Sequence, residues 1–377
     1  MSWAVWITGL PGSGKSVVAR ALASRLAELG HPAVVLELDA IRKLLTPSPC
    51  YTDWERDLVY RALVYMARTL TSCGIPAIID ATAHRRVWRD LARSVIPSFA
   101  EIQLVCPLDV CRAREAERPS GNAPSGIYAA AGQPGATVPG VDVPYEPALD
   151  PEIVVDTVRD DVPTAVASIV PIVLKLVDSS AQGSRQQHGA GWAMWVTGLP
   201  GSGKTTLASG VAEGLSALGV PVVLLELIEL HDFMLGGRMG TPAEEDIVHR
   251  ALVGSAKLLT DAGVPVVIDA TARRREWRQL ARQLIQHFAE VQLVCPPAIC
   301  TERERVVRWM PPVCAQGGRR KSVAAAPDIV IAYEPALDAE LTLYTDVRAV
   351  WSVVYEAIGL ARRLHHHAAA SRSATIS

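Results

Sequence analysis

The 377-residue sequence has no field of one sign: 37 lysines and arginines stand against 39 aspartates and glutamates, a formal charge of −2. Proteins that coat nucleic acid or carry an acidic interaction tail depend on such a field, so no nucleic-acid partner is expected. The chain also lacks a basic leader followed by an apolar stretch. It opens directly into Trp3-Ala-Val-Trp-Ile-Thr8, which predicts no secretory signal. No apolar run reaches membrane-spanning length, since the longest, Val162 to Val177, is interrupted by Pro171 and Lys175 and reads as a buried helix. The seven cysteines are an odd number, thinly spread, so a disulfide framework is not expected and a reducing cytoplasm is. What the sequence has in quantity is apolar surface, 49% hydrophobic against 20% charged residues, which excludes wholesale disorder. At this length a single core has stopped growing, and two domains are expected.

The two domains are written out twice. Trp6-Ile-Thr-Gly-Leu-Pro-Gly-Ser-Gly-Lys-Ser16 returns as Trp195-Val-Thr-Gly-Leu-Pro-Gly-Ser-Gly-Lys-Thr205, and Ile79-Asp-Ala-Thr82 returns as Ile268-Asp-Ala-Thr271. Both pairs are offset by 189 residues, and Tyr145-Glu-Pro-Ala-Leu-Asp150 returns 188 residues later as Tyr333-Glu-Pro-Ala-Leu-Asp338. A solenoid would repeat every 20–50 residues or so, so this is a duplicated domain. The polar, glycine-bearing stretch 179–191 reads as a flexible linker between domains at 1–178 and 192–364, and 365–377 reads as a disordered tail. The two halves are expected to pack as an intramolecular pseudo-dimer.

Within each copy, short apolar strands without polar alternation are separated by helical patterns. Strands are predicted near 5–8, 33–38, 75–80, 102–106 and 153–156, and helices over 16–29, 56–70 and 86–95. The pattern predicts an α/β fold of the P-loop type: a parallel sheet covered by helices on both faces, with ligands bound beyond the carboxyl ends of the strands.

Gly9-Leu10-Pro11-Gly12-Ser13-Gly14-Lys15-Ser16 fits G-x-x-x-x-G-K-[ST] and lies between a predicted strand and helix, the setting the motif requires. Glycines let consecutive N–H groups turn inward on phosphates, and the helix aims its positive end at them. Lys15 would reach the β- and γ-phosphates of ATP, and the Ser16 hydroxyl would ligate Mg²⁺. Gly198-Leu199-Pro200-Gly201-Ser202-Gly203-Lys204-Thr205 offers the same groups, with Thr205 as the metal hydroxyl. Past the second strand, Asp39 can take a proton from an acceptor hydroxyl or hold a metal-bound water, and Arg42 can clamp an anion. The strand end Ile79-Asp-Ala-Thr82 resembles the V-[IV]-D-A-T-N of small P-loop kinases acting on other alcohols, which implies Asp80 near Mg²⁺; the alternative is an Asp80 that caps the next helix.

Leu36-Glu-Leu-Asp39-Ala-Ile-Arg42 resembles the L-D-G-D-N-[VL]-R segment of adenylyl-sulfate (APS) kinases. Tyr51-Thr-Asp-Trp-Glu-Arg56 resembles their F-S-x-x-D-R, and Pro107-Leu-Asp-Val-Cys111-Arg-Ala-Arg114 their P-L-E-V-C-x-x-R. Gly126-Ile-Tyr128 and Gly140-Val-Asp-Val-Pro-Tyr145 look like the family's lid. The resemblance covers nearly all of residues 1–178 and implies ATP-dependent, Mg²⁺-dependent phosphorylation of the 3′-hydroxyl of APS to PAPS, in sulfate assimilation. It implies Asp39 as the catalytic carboxylate, Arg42 and Arg56 on the phosphosulfate, Tyr51 on the acceptor's adenine, and Arg114 against ATP. Asp80-Ala-Thr82 stands where the family has a Ser-Pro turn, Val59 replaces an asparagine and Val138 a phenylalanine, and 120–125 reads as an insertion. A kinase for another small hydroxylated molecule and a non-catalytic ATP-binding regulator remain the alternatives.

The second copy keeps Lys204, Thr205 and Arg303 but carries Ile228, His231 and Glu245 against Asp39, Arg42 and Arg56, and its lid region 310–328 is unlike the first. It is expected to bind ATP without transferring phosphate. Glu229, beside the missing carboxylate, would point away. The Cys106/Cys111 and Cys295/Cys300 pairs read as core thiols, not metal ligands.

Overall fold

The structure, a computed structural model, describes residues 1–117, 126–180, 189–309 and 333–376. The chain divides into two compact units, Met1–Gln186 and Gln187–Ser377. In the first, β1 (Trp3–Thr8) is followed by α1 (Lys15–Glu28), β2 (Val34–Glu37), α2 (Leu38–Leu45) and α3 (Asp53–Ser72). Then come β3 (Ala77–Asp80), α4 (Arg86–Val95), β4 (Ser98–Val105), α5 (Leu108–Ala116), β5 (Ile153–Asp156) and α6 (Val162–Ser180). The strands form one parallel sheet in the order β2-β3-β1-β4-β5.

Because β1 is central, every one of its residues is buried, which is why it shows no alternation of polar and apolar side chains. One sheet face, with Trp3, Val5 and Ile7, packs on Leu22 and Leu26 of α1 and on Ile169 and Val173 of α6. On the other face Trp6 stacks with Tyr60 at 6.5 Å, and Tyr60 with Trp88 at 4.1 Å. Trp88 is therefore core, while Trp54 is 42% exposed. Helix α6 is long and apolar enough to cross a membrane by length and composition, but its Ala165, Val166, Ile169 and Val173 face is buried on the sheet.

The second unit repeats the order with β6 (Ala193–Gly198), α7 (Lys204–Ala217), β7 (Val223–Glu226), α8 (Leu227–Leu235) and α9 (Pro242–Asp261). It continues with β8 (Val266–Asp269), α10 (Arg275–Leu284), β9 (Phe288–Val294), α11 (Pro297–Trp309), β10 (Leu341–Tyr344) and α12 (Val350–Ile376). Its sheet order, β10-β9-β6-β8-β7, is that of the first unit. A buried ion pair is duplicated with it: Arg89 Nε lies 2.6 Å from Glu101, and Arg278 Nε 2.6 Å from Glu290.

Two expectations are corrected. The segment from 365 is not a disordered tail, because α12 runs on to Ile376. Leu364 and Ala368 continue its apolar stripe onto the core, and Trp192 Nε1 donates to His365 Nδ1 at 3.2 Å. The 179–191 stretch is not uniformly a linker either: Ser179 and Ser180 end α6, and Ala190 is buried in the second core. Residues 181–188, like the 120–125 insertion and the 310–328 lid region, lie outside the described residues.

Candidate functional site

The site of the first unit lies where β1, β2 and β3 end. The chain turns out of β1 through Gly9 and Gly12, at φ 153° and 78°. A Cβ on Gly12 would collide with the carbonyl of Cys111, so only glycine fits. Gly14 at φ 95° opens α1 directly into Lys15, whose Nζ donates to the Leu10 carbonyl at 2.9 Å. Burial pushes the Lys15 ammonium below its ordinary pKa, and Asp80 and Asp39 oppose that shift. The Ser16 hydroxyl hydrogen-bonds Asp80, a buried carboxyl that desolvation raises and Lys15 lowers. A hydroxyl and a carboxylate beside a phosphate cradle are the hard oxygen donors that suit Mg²⁺. Asp80 caps nothing: the N-cap of α4 is Arg85, without a side-chain bond.

Asp39 and Arg42 stand in α2, which starts at the carboxyl end of β2, and Arg56 in α3. Glu55, almost fully buried, ties them together. Its carboxylate accepts from Arg42 at 3.3 Å, from the Tyr51 N–H at 3.1 Å and from the Cys50 N–H at 2.8 Å. These bonds hold Tyr51 at φ 53°, a left-handed conformation unfavourable to an aromatic residue. Arg42 and Arg56 lie over the Tyr51 ring, 5.1 and 5.9 Å from its centroid. Arg56 Nε also donates to the Tyr51 carbonyl at 3.1 Å, and its Nη2 to the Thr137 carbonyl at 3.0 Å.

The segment 126–143 covers the site. The Asp142 carboxylate folds it by accepting from the N–H groups of Gly132 and Val138, each at 2.8 Å. Tyr128 Oη donates to the Pro11 carbonyl at 2.8 Å, fastening the segment to the phosphate loop. The cavity beneath it, of about 850 Å³ and open to solvent on one side, is lined by Lys15, Ser16, Asp39, Arg42, Tyr51, Arg56 and Arg114 together with Tyr60, Asp80, His84 and Val138. Arg114 is braced at the rim by Thr157, donating to its carbonyl at 2.7 Å.

Thus Lys15, Ser16, Asp39, Arg42, Tyr51, Arg56 and Arg114 come together in one cavity. Glu55, Tyr60, His84 and Asp142 were not singled out for the site from sequence. Tyr60 Oη accepts from the Ala83 N–H at 2.9 Å, holding a non-glycine turn at φ 41° beside the cavity. Glu55 stands one residue before the helix predicted over 56–70, inside the segment that resembles F-S-x-x-D-R, and nothing short of the fold places Tyr60. Of the cysteine pairs read as core thiols, Cys111, Cys295 and Cys300 are buried and Cys106 is half-buried; burial pushes the Cys111 thiol up to about 12.

The second unit preserves the phosphate-loop half of this arrangement. Lys204 Nζ donates to the Leu199 carbonyl at 2.9 Å, Thr205 Oγ1 to Asp269 Oδ2 at 2.6 Å, and Arg303 Nη2 to the Thr345 carbonyl at 2.7 Å. The half that in the first unit holds Asp39, Arg42 and Arg56 is rebuilt. His231 Nε2 meets Glu245 Oε1 at 2.9 Å, and Ile228 is 45% exposed. Glu244, the counterpart of Glu55, is drawn into a capping box with Thr241 and an ion pair with Arg238.

A family model for adenylylsulphate kinase matches residues 1–156 and again 190–343. The probable adenylyl-sulfate kinase of Archaeoglobus fulgidus is 37% identical over 164 residues, which are 43% of this chain and 99% of the relative. The adenylyl-sulfate kinase of Rippkaea orientalis is 34% identical over 174 residues, 46% of this chain and 90% of the relative. Among solved structures, an APS kinase of Mycobacterium tuberculosis in complex with AMPPNP and APS shares 28% identity over 46% of this chain and 98% of its own, with a TM-score of 0.40.

Proposed function

The chain belongs to the adenylylsulphate kinase family, and from that premise we propose that its first unit, residues 1–178, transfers the γ-phosphoryl group of ATP to the 3′-hydroxyl of APS, giving PAPS and ADP. The observation that carries this reading is the gathering of Asp39, Arg42, Tyr51 and Arg56 in the cavity that also holds Lys15. The backbone N–H groups of residues 12–16 cradle the phosphates, and Lys15 exchanges its bond to Leu10 for the β- and γ-phosphate oxygens. Arg42 and Arg56 fork onto the phosphosulfate, Tyr51 stacks on the adenine of APS, and Arg114 flanks ATP. Asp39 takes the 3′-hydroxyl proton as the new O–P bond forms and the bond to the bridging oxygen of ADP breaks. Ser16 in this unit and Thr205 in the other would hold Mg²⁺, which would neutralise charge on the phosphates.

Residues 192–364 bind ATP by the same cradle and do not phosphorylate APS, since Glu245 sets a negative charge where Arg56 sets a positive one. We place the enzyme in the cytoplasm, where free thiols such as Cys50 and Cys73 persist. The test is an acceptor screen with the purified full-length chain, ATP and Mg²⁺. PAPS formation from APS, with Arg56→Ala raising the KM for APS and sparing that for ATP, is expected. Phosphorylation of a different alcohol with none of APS would overturn it.

A further inference from the structure

Duplication supplies an internal comparison. The chain leaving β3 and the chain leaving β8 make the same fixed turn, and the side chain that the turn presents differs. In the first unit Thr8 Oγ1 donates to the Thr82 carbonyl at 2.7 Å, and the Ala83 N–H donates to Tyr60 Oη at 2.9 Å. The Glu146 N–H donates to the His84 carbonyl at 2.8 Å, and Arg89 to the Ala83 carbonyl. In the second unit Thr197 Oγ1 donates to the Thr271 carbonyl at 2.7 Å, the Glu334 N–H to the Arg273 carbonyl at 2.9 Å, and Arg278 to the Ala272 carbonyl. Ala83 and Ala272 share a positive φ, 41° and 40°. The residue that follows is His84 in one unit and Arg273 in the other. Its neighbour on the preceding long helix changes with it: the first unit sets Arg56 against His84, and the second sets Glu245 against Arg273. Each unit keeps one arginine across the pair.

We infer that His84 binds the acceptor, as a neutral hydrogen-bond donor to the phosphosulfate anion beside Arg56, and that Tyr60 is the residue that positions it. This rests on the reading that the first unit phosphorylates APS. Both side chains line the cavity, and they are only 5% and 4% exposed. The His84 imidazole meets Trp88 edge-on at 5.2 Å, and its nitrogens make no hydrogen bond among the described residues. Buried polar groups are ordinarily partnered, so one left open toward a cavity marks a place for a ligand. Burial, with Arg56 and Arg85, keeps the imidazole neutral down to about pH 4, so it offers one N–H and no charge. A cation in its place would repel Arg56 while the site is empty, whereas a neutral donor adds a bond to the anion without that cost. In the second unit the neighbour is Glu245, and there the turn does carry a cation. Because the turn is fixed through Tyr60, the donor is aimed before the acceptor arrives.

The full chain, saturated with AMPPNP, is titrated with APS, and KM values for APS and ATP are measured in parallel. His84→Phe keeps a ring against Trp88 and removes the donor. It should weaken APS about ten- to a hundredfold, the range for a hydrogen bond to a charged group, while the KM for ATP moves less than about twofold. His84→Gln restores a neutral donor and should bring APS affinity back to within about threefold of the unaltered chain. Tyr60→Phe should raise the KM for APS on its own and add little to His84→Phe, because a residue that acts through His84 then has nothing left to position. Unchanged APS affinity in His84→Phe would overturn the inference. So would equal losses in His84→Phe and His84→Gln, or equal rises in both KM values, the signatures of a merely structural role. Additive effects of Tyr60→Phe and His84→Phe would overturn the positioning assignment. An unaltered chain that binds no APS would remove the reading beneath the inference, whereas APS binding that ignores His84 removes the inference alone.

Discussion

A guanidinium that is to receive an anion has to be held in place before the anion arrives, and Arg42 and Arg56 are held by different means. Arg42 leans on the buried Glu55, and Arg56 is strung between the Tyr51 and Thr137 carbonyls. Removing Glu55 strands Arg42 and frees the Cys50–Tyr51 turn at once. Glu55→Ala is expected to cost about 3 kcal/mol, in the range for breaking a buried pair. It should also raise the KM for APS well beyond that for ATP; denaturant unfolding and paired saturation curves measure both. Asp39→Asn should cut turnover by roughly a hundredfold or more, as for a positioned acid–base group, and near-normal turnover would refute its role. Titration gives a further check. Burial holds His84 and His249 at about 4, helped by Arg56 and Arg85 in one unit and by Arg273 in the other. The unfolded chain protonates these imidazoles near 6.5, so between 6.5 and about 4 it binds more protons than the folded one. Stability is therefore full above that window and lost as pH falls through it. His249→Phe, which keeps a ring against Trp277, should flatten this acid slope in thermal melts of the second unit. Lys15, Asp39 and Arg42 were legible in sequence because fixed spacing beside a strand end announces them. Glu55 and Tyr60 were not, because their partners are distant in sequence or depend on a turn at positive φ.

Among the elements, the phosphate loop is the one whose shape admits least substitution. Gly12 combines a positive φ with a close approach to the Cys111 carbonyl, so the loop and the start of α5 are packed as one piece. Gly12→Ala is expected to destabilise the first unit by about 1–2 kcal/mol from the left-handed conformation alone, before the clash is counted. It should also abolish ATP binding there, and calorimetric titration would register that as one site lost. The strands, the helix before Gly30 and the helix over 86–95 were readable because strands buried on both faces carry uniform apolar runs, and amphipathic helices carry a 3.6-residue stripe. The end of α12 was misread because its histidines and small residues look like a polar tail. It is the alanine and leucine positions between them that reach the core, and only packing reveals that stripe.

At the scale of the whole chain, the proposed asymmetry of the two halves is a separation of binding from transfer. Both units present a phosphate loop with its lysine bonded back to the loop and its hydroxyl beside an aspartate. Phosphoryl transfer asks for more, because positioning and charge supply most of its catalysis: the acceptor hydroxyl must lie in line with the γ-phosphate, and its anion must be met by cations. In the second unit the places of Arg42 and Arg56 are taken by the internal His231–Glu245 pair, and a neighbouring histidine adds no positive charge, since His249 is neutral above about pH 4. Lys15→Ala in the full chain is therefore expected to abolish PAPS formation while one ATP analogue per chain still binds. Lys204→Ala should likewise remove one analogue site yet leave most of the turnover. The two variants, assayed for PAPS and titrated with AMPPNP side by side, distinguish a kinase carrying a binding module from a pair of kinases. Comparable losses of turnover in both would show that the second loop takes part in the reaction, and the asymmetry drawn from Ile228, His231 and Glu245 would have to be abandoned.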